Sequence, residues 1–186
     1  MPHPPARPPG YLGITRRPSP REWRRAILLF VVGIGGLFLV MVFVHPQASL
    51  LPVGAPAPAV SLDAAAGGHV AVPTGSSAAP FVLEFFEANC SHCQDAASHL
   101  CNQKVPVYAV DAAKDSAETV NAYRAKYAPG CSYPTLLDPT LAVARAYAVT
   151  AVPTVYVVKG GRVVFASTGV DGVNGVAAAV TKALGG

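Results

Sequence analysis

Residues 81–93 read FVLEFFEANCSHC, and this stretch decides the fold class. Its first six residues are a compact apolar run, which is typical of a buried β-strand. Residues 91–100 have a helical pattern, so Cys90 and Cys93 stand where a buried strand passes into a helix. A strand followed at once by a C-x-x-C pair and a helix is the most specific pattern in the chain.

Outward from this stretch, strand patterns and helix patterns alternate. We predict strands at residues 60–62, 70–72, 81–86, 105–110, 154–158 and 163–167, and helices at 91–100, 116–127, 139–147 and 173–184. The sequence KGGR at residues 159–162 predicts a tight turn that joins the last two strands into a hairpin. Alternation that ends in a hairpin and a helix implies an α/β fold, a mixed sheet with helices on both faces.

The most apolar stretch lies far from the C-x-x-C pair. Residues 26–44 contain no charge, and as a helix these 19 residues span roughly 28 Å, about the thickness of a bilayer core. Arg21, Arg24 and Arg25 flank only its N-terminal end, which by the positive-inside rule places the N-terminus in the cytoplasm. We therefore expect a single transmembrane helix in the cell membrane, with the C-terminal domain extracytoplasmic.

The alternative for this stretch is a cleaved signal peptide. Such peptides have an apolar core of about 7–15 residues followed closely by small residues. Here the apolar run is longer, and the small-residue sites lie about ten residues beyond its end. An uncleaved anchor is therefore the preferred interpretation.

The charge is distributed unevenly along the 186 residues. The net charge is +4, yet residues 1–25 alone carry six Arg against one Glu, and the chain from residue 45 carries eight Lys and Arg against nine Asp and Glu. The basic character belongs to a short tail, so we expect no nucleic-acid partner. We predict a disordered basic cytoplasmic tail at 1–25, a Pro/Ala-rich linker at 45–58 and the folded domain at 59–186.

The spacing of Cys90 and Cys93 points to redox chemistry. Unpaired backbone N–H groups and the dipole at a helix N-terminus stabilise a thiolate. Cys90, at the start of the turn, is predicted to be the exposed nucleophile, and Cys93, one turn into the helix, is predicted to resolve a mixed disulfide. The alternatives are a structural disulfide or half of a metal site.

The other two cysteines are predicted to serve a structural role. If residues 91–100 are helical, Cys101 lies about 12 Å along the helix axis from Cys93. A disulfide needs Cα atoms within roughly 7 Å, so Cys131 is the remaining partner for Cys101. We predict a Cys101–Cys131 disulfide, and the alternative is that both are free.

In these motifs the chain resembles the membrane-anchored thioredoxin-like proteins of the TlpA/ResA type. Four features occur in the expected order: residues 53–58 (VGAPAP), the C-x-x-C, residues 152–154 (VPT) and residues 160–164 (GGRVV). The active-site stretch is also similar to that of DsbA, a periplasmic dithiol oxidase. The resemblance implies a thioredoxin-like fold and thiol–disulfide exchange with client proteins, reset by a membrane redox partner, without a cofactor or a metal.

The resemblance also implies roles for residues outside the C-x-x-C. Pro153 is expected to be a cis-proline that faces the two sulfur atoms, and Val152 is expected to offer its backbone to an extended client chain. The alternative is an ordinary trans proline. Glu84 is expected to be a buried acid that exchanges a proton with Cys93. Its alternative is a carboxylate at a strand edge that faces water.

Two departures from the family pattern stand out at the active site. Asn89 replaces the Trp that often precedes the first Cys, and the C-x-x-C contains no Pro. We expect His92 to donate a hydrogen bond to the Cys90 thiolate, which would stabilise the reduced form. The alternative is a solvent-facing His92 of modest influence.

Two other functions are weighed against the oxidoreductase. A copper chaperone could bind Cu(I) through Cys90, Cys93 and a His, because thiolates suit this ion. However, the only methionines are Met1 in the tail and Met41 in the apolar stretch. A peroxiredoxin shares the opening of the fold, but the chain has no Thr-x-x-Cys for a peroxidatic thiol. The sequence leaves the direction of electron flow open.

Overall fold

The computed structural model describes residues 19–44, with side chains as far as residue 36, and residues 49–185. The two ranges form separate compact units. Within them, no helix combines the length and the apolar character needed to cross a membrane, so the transmembrane helix predicted at 26–44 is not confirmed.

The first unit is a single helix, α1 (Pro20–Val44). Ser19 and Glu22 cap its start reciprocally: the Ser19 N–H donates to Glu22 Oε2 at 2.7 Å, and the Glu22 N–H donates to Ser19 Oγ at 3.3 Å. Because this capping box starts the helix early, residues 20–25 are helical and not part of a disordered tail as predicted. Residues 1–18 of that tail lie outside the described residues.

The second unit is built on one mixed sheet in the order β2-β1-β5-β4-β3-β6-β7. Its strands are β1 (Val60–Ala64), β2 (His69–Val72), β3 (Phe81–Phe86), β4 (Val107–Asp111), β5 (Thr135–Leu137), β6 (Thr154–Lys159) and β7 (Arg162–Thr168). Its helices are α2 (Ser91–Ala97), which continues into a 3-10 turn (Ser98–Leu100), α3 (Ala117–Tyr127), α4 (Ala142–Ala146) and α5 (Val170–Gly185). The predicted α/β fold with a mixed sheet is confirmed, and the ends of the predicted elements move by three residues at most.

Strand β3 is central to both faces of the sheet. It pairs in parallel with β4 and antiparallel with β6, and all six of its residues are buried. Phe81, Leu83 and Phe85 pack on the side of α4, while Val82 and Phe86 pack on the side of α2, α3 and α5. Side chains alternate along a strand, so Glu84 points to the second side, where the C-x-x-C helix lies.

Three elements differ most from the prediction, and one of them is α5, which begins at Val170, three residues earlier than predicted. Strand β5 was not predicted, because its three residues are too few to show a strand period. Helix α4 begins at Ala142, three residues later than predicted, yet Asp138 still caps it by accepting the N–H groups of Ala142 and Ala144, each at 2.9 Å.

The predicted linker at 45–58 is also corrected. Residues 45–48 lie outside the described residues, but the segment from residue 49 packs on the domain. The Gly54 N–H donates to the Val163 carbonyl at 2.7 Å, and the Ala57 N–H donates to the Gly161 carbonyl at 2.8 Å. Apolar side chains in the segment drive this packing, since Leu50 and Leu51 contact the core beside β6. The folded unit therefore begins about ten residues earlier than predicted.

Candidate active site

Cys90 lies at the junction that the sequence predicts, between β3 and α2. It is the N-cap of α2, and its Sγ accepts the backbone N–H of Cys93 at 3.2 Å. The side chain is half-buried and the thiol is free. A sulfur at this position receives a hydrogen bond and the positive end of the peptide dipoles, both of which favour a thiolate.

Cys93 is a free thiol enclosed by the domain, with none of its surface exposed. Burial raises the pKa of the Cys93 thiol, and the neighbouring Cys90 and Glu84 raise it further. The two sulfurs therefore differ in the way that the predicted roles require: one is accessible, and the other is protected and protonated.

Glu84 is buried beneath this pair, only 1 % exposed, and its Oε1 has no hydrogen-bond partner. Desolvation raises the pKa of its carboxyl to about 8, and the charge of Arg124 opposes part of that rise. The alternative of a carboxylate turned toward water at a strand edge is wrong. With this pKa, Glu84 is protonated in most molecules near neutral pH, and it lies on the same side of the sheet as Cys93.

The loop before β6 closes the other side of the site. The Val152–Pro153 peptide bond is cis, as the family resemblance implies. The Val152 carbonyl oxygen lies 3.8 Å from Cys90 Sγ, and the thiol donates to it. The structure thus brings Cys90, Cys93, Val152 and Pro153 to one end of the sheet, above Glu84.

His92 does not make the predicted hydrogen bond. Its side chain is exposed, and among the described residues the partners of Cys90 Sγ are Val152 and Cys93. The physical reason is its place in the first turn of α2, on the solvent side of the helix. Among all the residues that the structure describes, no three His, Cys, Asp or Glu side chains are grouped as metal ligands are.

Cys101 and Cys131 form a disulfide, the pairing that the sequence predicts, with Cα atoms 5.1 Å apart. The bridge joins the end of the α2 region to the loop after α3. Arg124 holds the same loop, because its guanidinium donates to the carbonyls of Cys131 and Tyr133 and lies over the Tyr133 ring, 3.9 Å from the centroid. The disulfide therefore belongs to the scaffold behind the C-x-x-C helix.

Three further residues hold the site together. The Tyr123 hydroxyl donates to the Cys93 carbonyl at 2.7 Å, the Asp115 carboxylate accepts the Ala88 N–H at 3.0 Å, and the Gln94 side-chain amide donates to the Ala88 carbonyl at 3.0 Å. Sequence reasoning missed all three as site residues. The sequence places Tyr123 only within the helix predicted at 116–127, and no local pattern marks the other two.

Two open grooves flank the turn that carries Cys90. One, of about 250 Å³, is lined by Glu87, Leu141, Arg145 and Val152 among others. The other, of about 380 Å³, is lined by Asn89, Gln94, Tyr123 and Lys126 among others. A larger cavity, of about 580 Å³, lies between β7 and α5 and contains none of the predicted site residues.

The chain is similar to several solved structures of thiol–disulfide proteins. A Chlorobium tepidum protein described as a thiol:disulfide interchange protein DsbE has a TM-score of 0.62 and 19% identity, covering 72% of this chain and 99% of that one. DsbF of Mycobacterium tuberculosis has a TM-score of 0.59 and 21% identity, with coverages of 67% and 94%. A secreted disulfide oxidoreductase of the same organism, homologous to E. coli DsbE, has a TM-score of 0.56 and 16% identity, with coverages of 66% and 95%. At these identities the likeness establishes the thioredoxin-like fold.

No curated protein matches the chain significantly. The model of one protein family, described as the AhpC/TSA family, matches residues 53–166, which is more than half of the chain. This match begins within the segment that packs against β7 and includes the C-x-x-C, Glu84 and the cis-proline. The chain therefore belongs to the AhpC/TSA family, a redox-active family with the thioredoxin-like fold.

Proposed function

We propose that the protein is a thiol–disulfide oxidoreductase that exchanges disulfides with client proteins through Cys90 and Cys93. The observation that carries the proposal is the asymmetry of the two thiols. Cys90 Sγ is accessible at a helix N-terminus beside the cis-proline loop, and Cys93 is fully buried behind it. A purely structural disulfide would not need one of its sulfurs to lie half-buried at a helix start between two open grooves.

The exchange takes place in two balanced steps. The Cys90 thiolate attacks one sulfur of a client disulfide, forms a mixed disulfide and expels the other client sulfur as a thiolate. Cys93 then loses its proton and attacks the Cys90 sulfur, which forms the Cys90–Cys93 disulfide and releases the client as a dithiol. Two electrons pass to the client, and the reverse steps oxidise a client dithiol.

Glu84 has a defined part in the second step. Cys93 must be deprotonated to attack, and burial makes its thiolate costly. A carboxyl whose pKa is about 8 is ionised in part of the molecules near neutral pH, and this ionised form accepts the Cys93 proton and later releases it to water. We assign Glu84 this proton transfer, and Val152 the backbone pairing with the client chain.

The direction of exchange is decided by the reduction potential of the pair. Full-length protein in detergent is equilibrated with mixtures of reduced and oxidised glutathione, and free thiols are then alkylated and counted. A potential near about −120 mV identifies an oxidase of client thiols, and one near about −270 mV identifies a reductant of client disulfides. A Cys90–Cys93 pair that does not exchange with glutathione overturns the proposal.

Single-cysteine variants test the order of attack. Cys93→Ser is expected to accumulate a mixed disulfide with a disulfide-containing peptide, because the resolving thiol is absent. Cys90→Ser is expected to form none, because Cys93 is enclosed. Mass spectrometry of the adducts checks this, and an adduct on Cys93 in Cys90→Ser would contradict the assigned roles.

We also propose that the domain is tethered to the cell membrane by residues 26–44, with the N-terminus cytoplasmic. The support is the uncharged apolar run and the arginines that precede it. Each exchange leaves the dithiol in the opposite redox state, so a second redox protein must reset it, and a tethered domain favours a partner in the same membrane. Cell fractionation with an alkaline carbonate wash tests the tether: extraction of the intact chain into the wash excludes it.

A further inference from the structure

Two turns meet at the end of the sheet that carries Cys90. Strands β3 and β4 are parallel neighbours, and Phe86 at the end of one is paired with Asp111 at the end of the other. The turn that leads from β3 to Cys90 therefore lies beside the turn that leads from β4 to α3. A hydrogen bond joins the starts of the two turns, since the Ala112 N–H donates to the Phe86 carbonyl at 2.8 Å.

The second turn is hydrogen-bonded to the first at Ala88, which lies two residues before Cys90. Asp115 Oδ2 accepts the Ala88 N–H at 3.0 Å, and Gln94 from α2 donates to the Ala88 carbonyl at 3.0 Å. Ala88 is only 6 % exposed, so water cannot readily replace either partner. Loss of the Asp115 carboxylate would leave a buried N–H group unpaired, which is costly enough to move the turn.

Asp115 is itself held in place by Asp111. The Asp111 carboxylate is fully buried and accepts the Ala113 N–H at 3.2 Å and the Asp115 N–H at 2.9 Å. Between these two donors, Lys114 has a φ of 64°, a left-handed conformation that is unfavourable for a residue with a Cβ. The hydrogen bonds to Asp111 thus hold the turn in this strained conformation, and the turn directs the Asp115 side chain toward Ala88.

We propose that Asp115 is a positioning residue for Cys90. By accepting the Ala88 N–H, its carboxylate holds the turn between β3 and Cys90 in a fixed position relative to the N-terminus of α2 and to Val152. The inference rests on the proposed function. It explains why two acids and a lysine with a left-handed backbone are gathered beside the turn that carries Cys90. With Ala88 fixed, Cys90 Sγ stays within reach of the Cys93 N–H, the contact that favours its thiolate.

The test compares Asp115→Ala with Asp115→Asn in the full-length protein. Asn retains an oxygen that can accept the Ala88 N–H, and Ala does not. The readouts are the rate of Cys90 alkylation by iodoacetamide as a function of pH and the rate of its reaction with oxidised glutathione. Alkylation reports on Cys90 alone, because Cys93 is buried and the other two cysteines are bridged.

We expect D115A to slow both reactions about tenfold at neutral pH and to move the midpoint of the alkylation profile to higher pH. D115N is expected to stay within about twofold of the wild type. Gln94→Ala, which removes the hydrogen bond to the carbonyl of the same residue, Ala88, is expected to slow both reactions too, and this result does not depend on D115A folding.

Asp138→Ala is the control, because Asp138 is an acid that, like Asp115, accepts backbone N–H groups, but at α4; it is fully buried, whereas Asp115 is partly buried. It is expected to lower the melting temperature and to leave both rates unchanged. Two outcomes overturn the inference. Unchanged rates in D115A would indicate a purely structural role for Asp115, and faster reactions in both Asp115 variants would indicate an effect of its charge alone. Failure of the wild type to react with oxidised glutathione would refute the proposed function, while the alkylation comparison would still test Asp115.

Discussion

Glu84 is placed where the fold tolerates a charge least. Its neighbours along β3 are Leu83 and Phe85, and its partners on β4 and β6 are Ala109 and Val155, all of them buried. An acid kept in such surroundings lowers stability unless it is protonated. The proposed proton transfer at the thiols above it would give this costly acid a use.

This cost makes stability depend on pH in a defined direction. The pKa of Glu84 rises from an ordinary 4.5 to about 8 on folding, so the folded state binds more protons than the unfolded state between those values. The free energy of unfolding must therefore fall as the pH rises from about 4.5 to about 8. Asp111, whose pKa burial raises to about 6, adds a smaller fall at the acidic end of that range.

Glu84→Gln is expected to remove most of this dependence. At about pH 8.5 the variant should be more stable than the wild type by on the order of 4 kcal/mol, and at about pH 5 the two should differ by less than about 1 kcal/mol. Urea unfolding at both pH values measures the difference. Asp95→Asn, at an exposed carboxyl on α2, is the control, and a gain of the same size in this control would contradict the explanation.

At the scale of elements, the redox helix depends on its neighbours. Helix α2 has seven residues, too few to be stable alone. The Tyr123 hydroxyl from α3 donates to the Cys93 carbonyl, and the Tyr133 hydroxyl from the following loop donates to the Ala97 carbonyl at 3.0 Å. The position of the C-x-x-C thus depends on α3 being formed.

The start of α3 offers a test of this element. Ser116 is its N-cap, and Ser116 Oγ accepts the Thr119 N–H at 3.1 Å. Ser116→Ala is expected to lower the free energy of unfolding by about 1 kcal/mol, because a helix N–H loses its acceptor. Urea denaturation measures the loss.

Thr181→Ala is the control for this loss. Its hydroxyl donates to the Ala177 carbonyl within α5, at 2.8 Å, and caps no helix end. The change is expected to stay within about 0.5 kcal/mol. Equal losses in the two variants would show that the Ser116 effect is not one of capping.

At the scale of the whole molecule, contacts between distant parts of the chain close the domain. Arg162 on β7 donates to the Gly54 carbonyl at 2.8 Å, across 108 residues, and the Tyr147 hydroxyl donates to the Pro58 carbonyl at 2.9 Å, across 89 residues. The Cys101–Cys131 disulfide adds a covalent link across 30 residues on the opposite side of the sheet. These links hold the sheet edges and the helix layer around the site.

Removal of the disulfide is expected to lower the stability of the domain and to leave the reactivity of Cys90 unchanged. In the chain-entropy model, opening a loop of this length lowers the free energy of unfolding by roughly 3–4 kcal/mol. The double variant Cys101→Ser, Cys131→Ser should show this loss while Cys90 still reacts with oxidised glutathione. When the Cys90–Cys93 pair is already reduced in both proteins, dithiothreitol should destabilise the wild type by a similar amount and leave the double variant unaffected. Sensitivity of that reduced variant to the reductant would contradict the prediction.

The sequence by itself determined the features that rest on local patterns. The order of strands and helices, the position of Cys90 and Cys93 between β3 and α2, and the β6–β7 hairpin follow from apolar periodicity and turn residues within short windows. The family resemblance added the cis-proline and the buried acid. The inferences from local patterns hold because each depends on residues that are close neighbours in the chain.

Tertiary structure alone decided the rest. Strand β5 has only three residues and exists because β4 and β1 pair with it on either side. Hydrogen bonds join Leu51 to Tyr156, Gly54 to Val163 and Ala88 to Asp115. The partners in each pair are distant in sequence, and no local pattern marks them. Burial works in the same way: whether Glu84 meets water or an apolar wall depends on which helices cover β3, and that is settled only when the chain has folded.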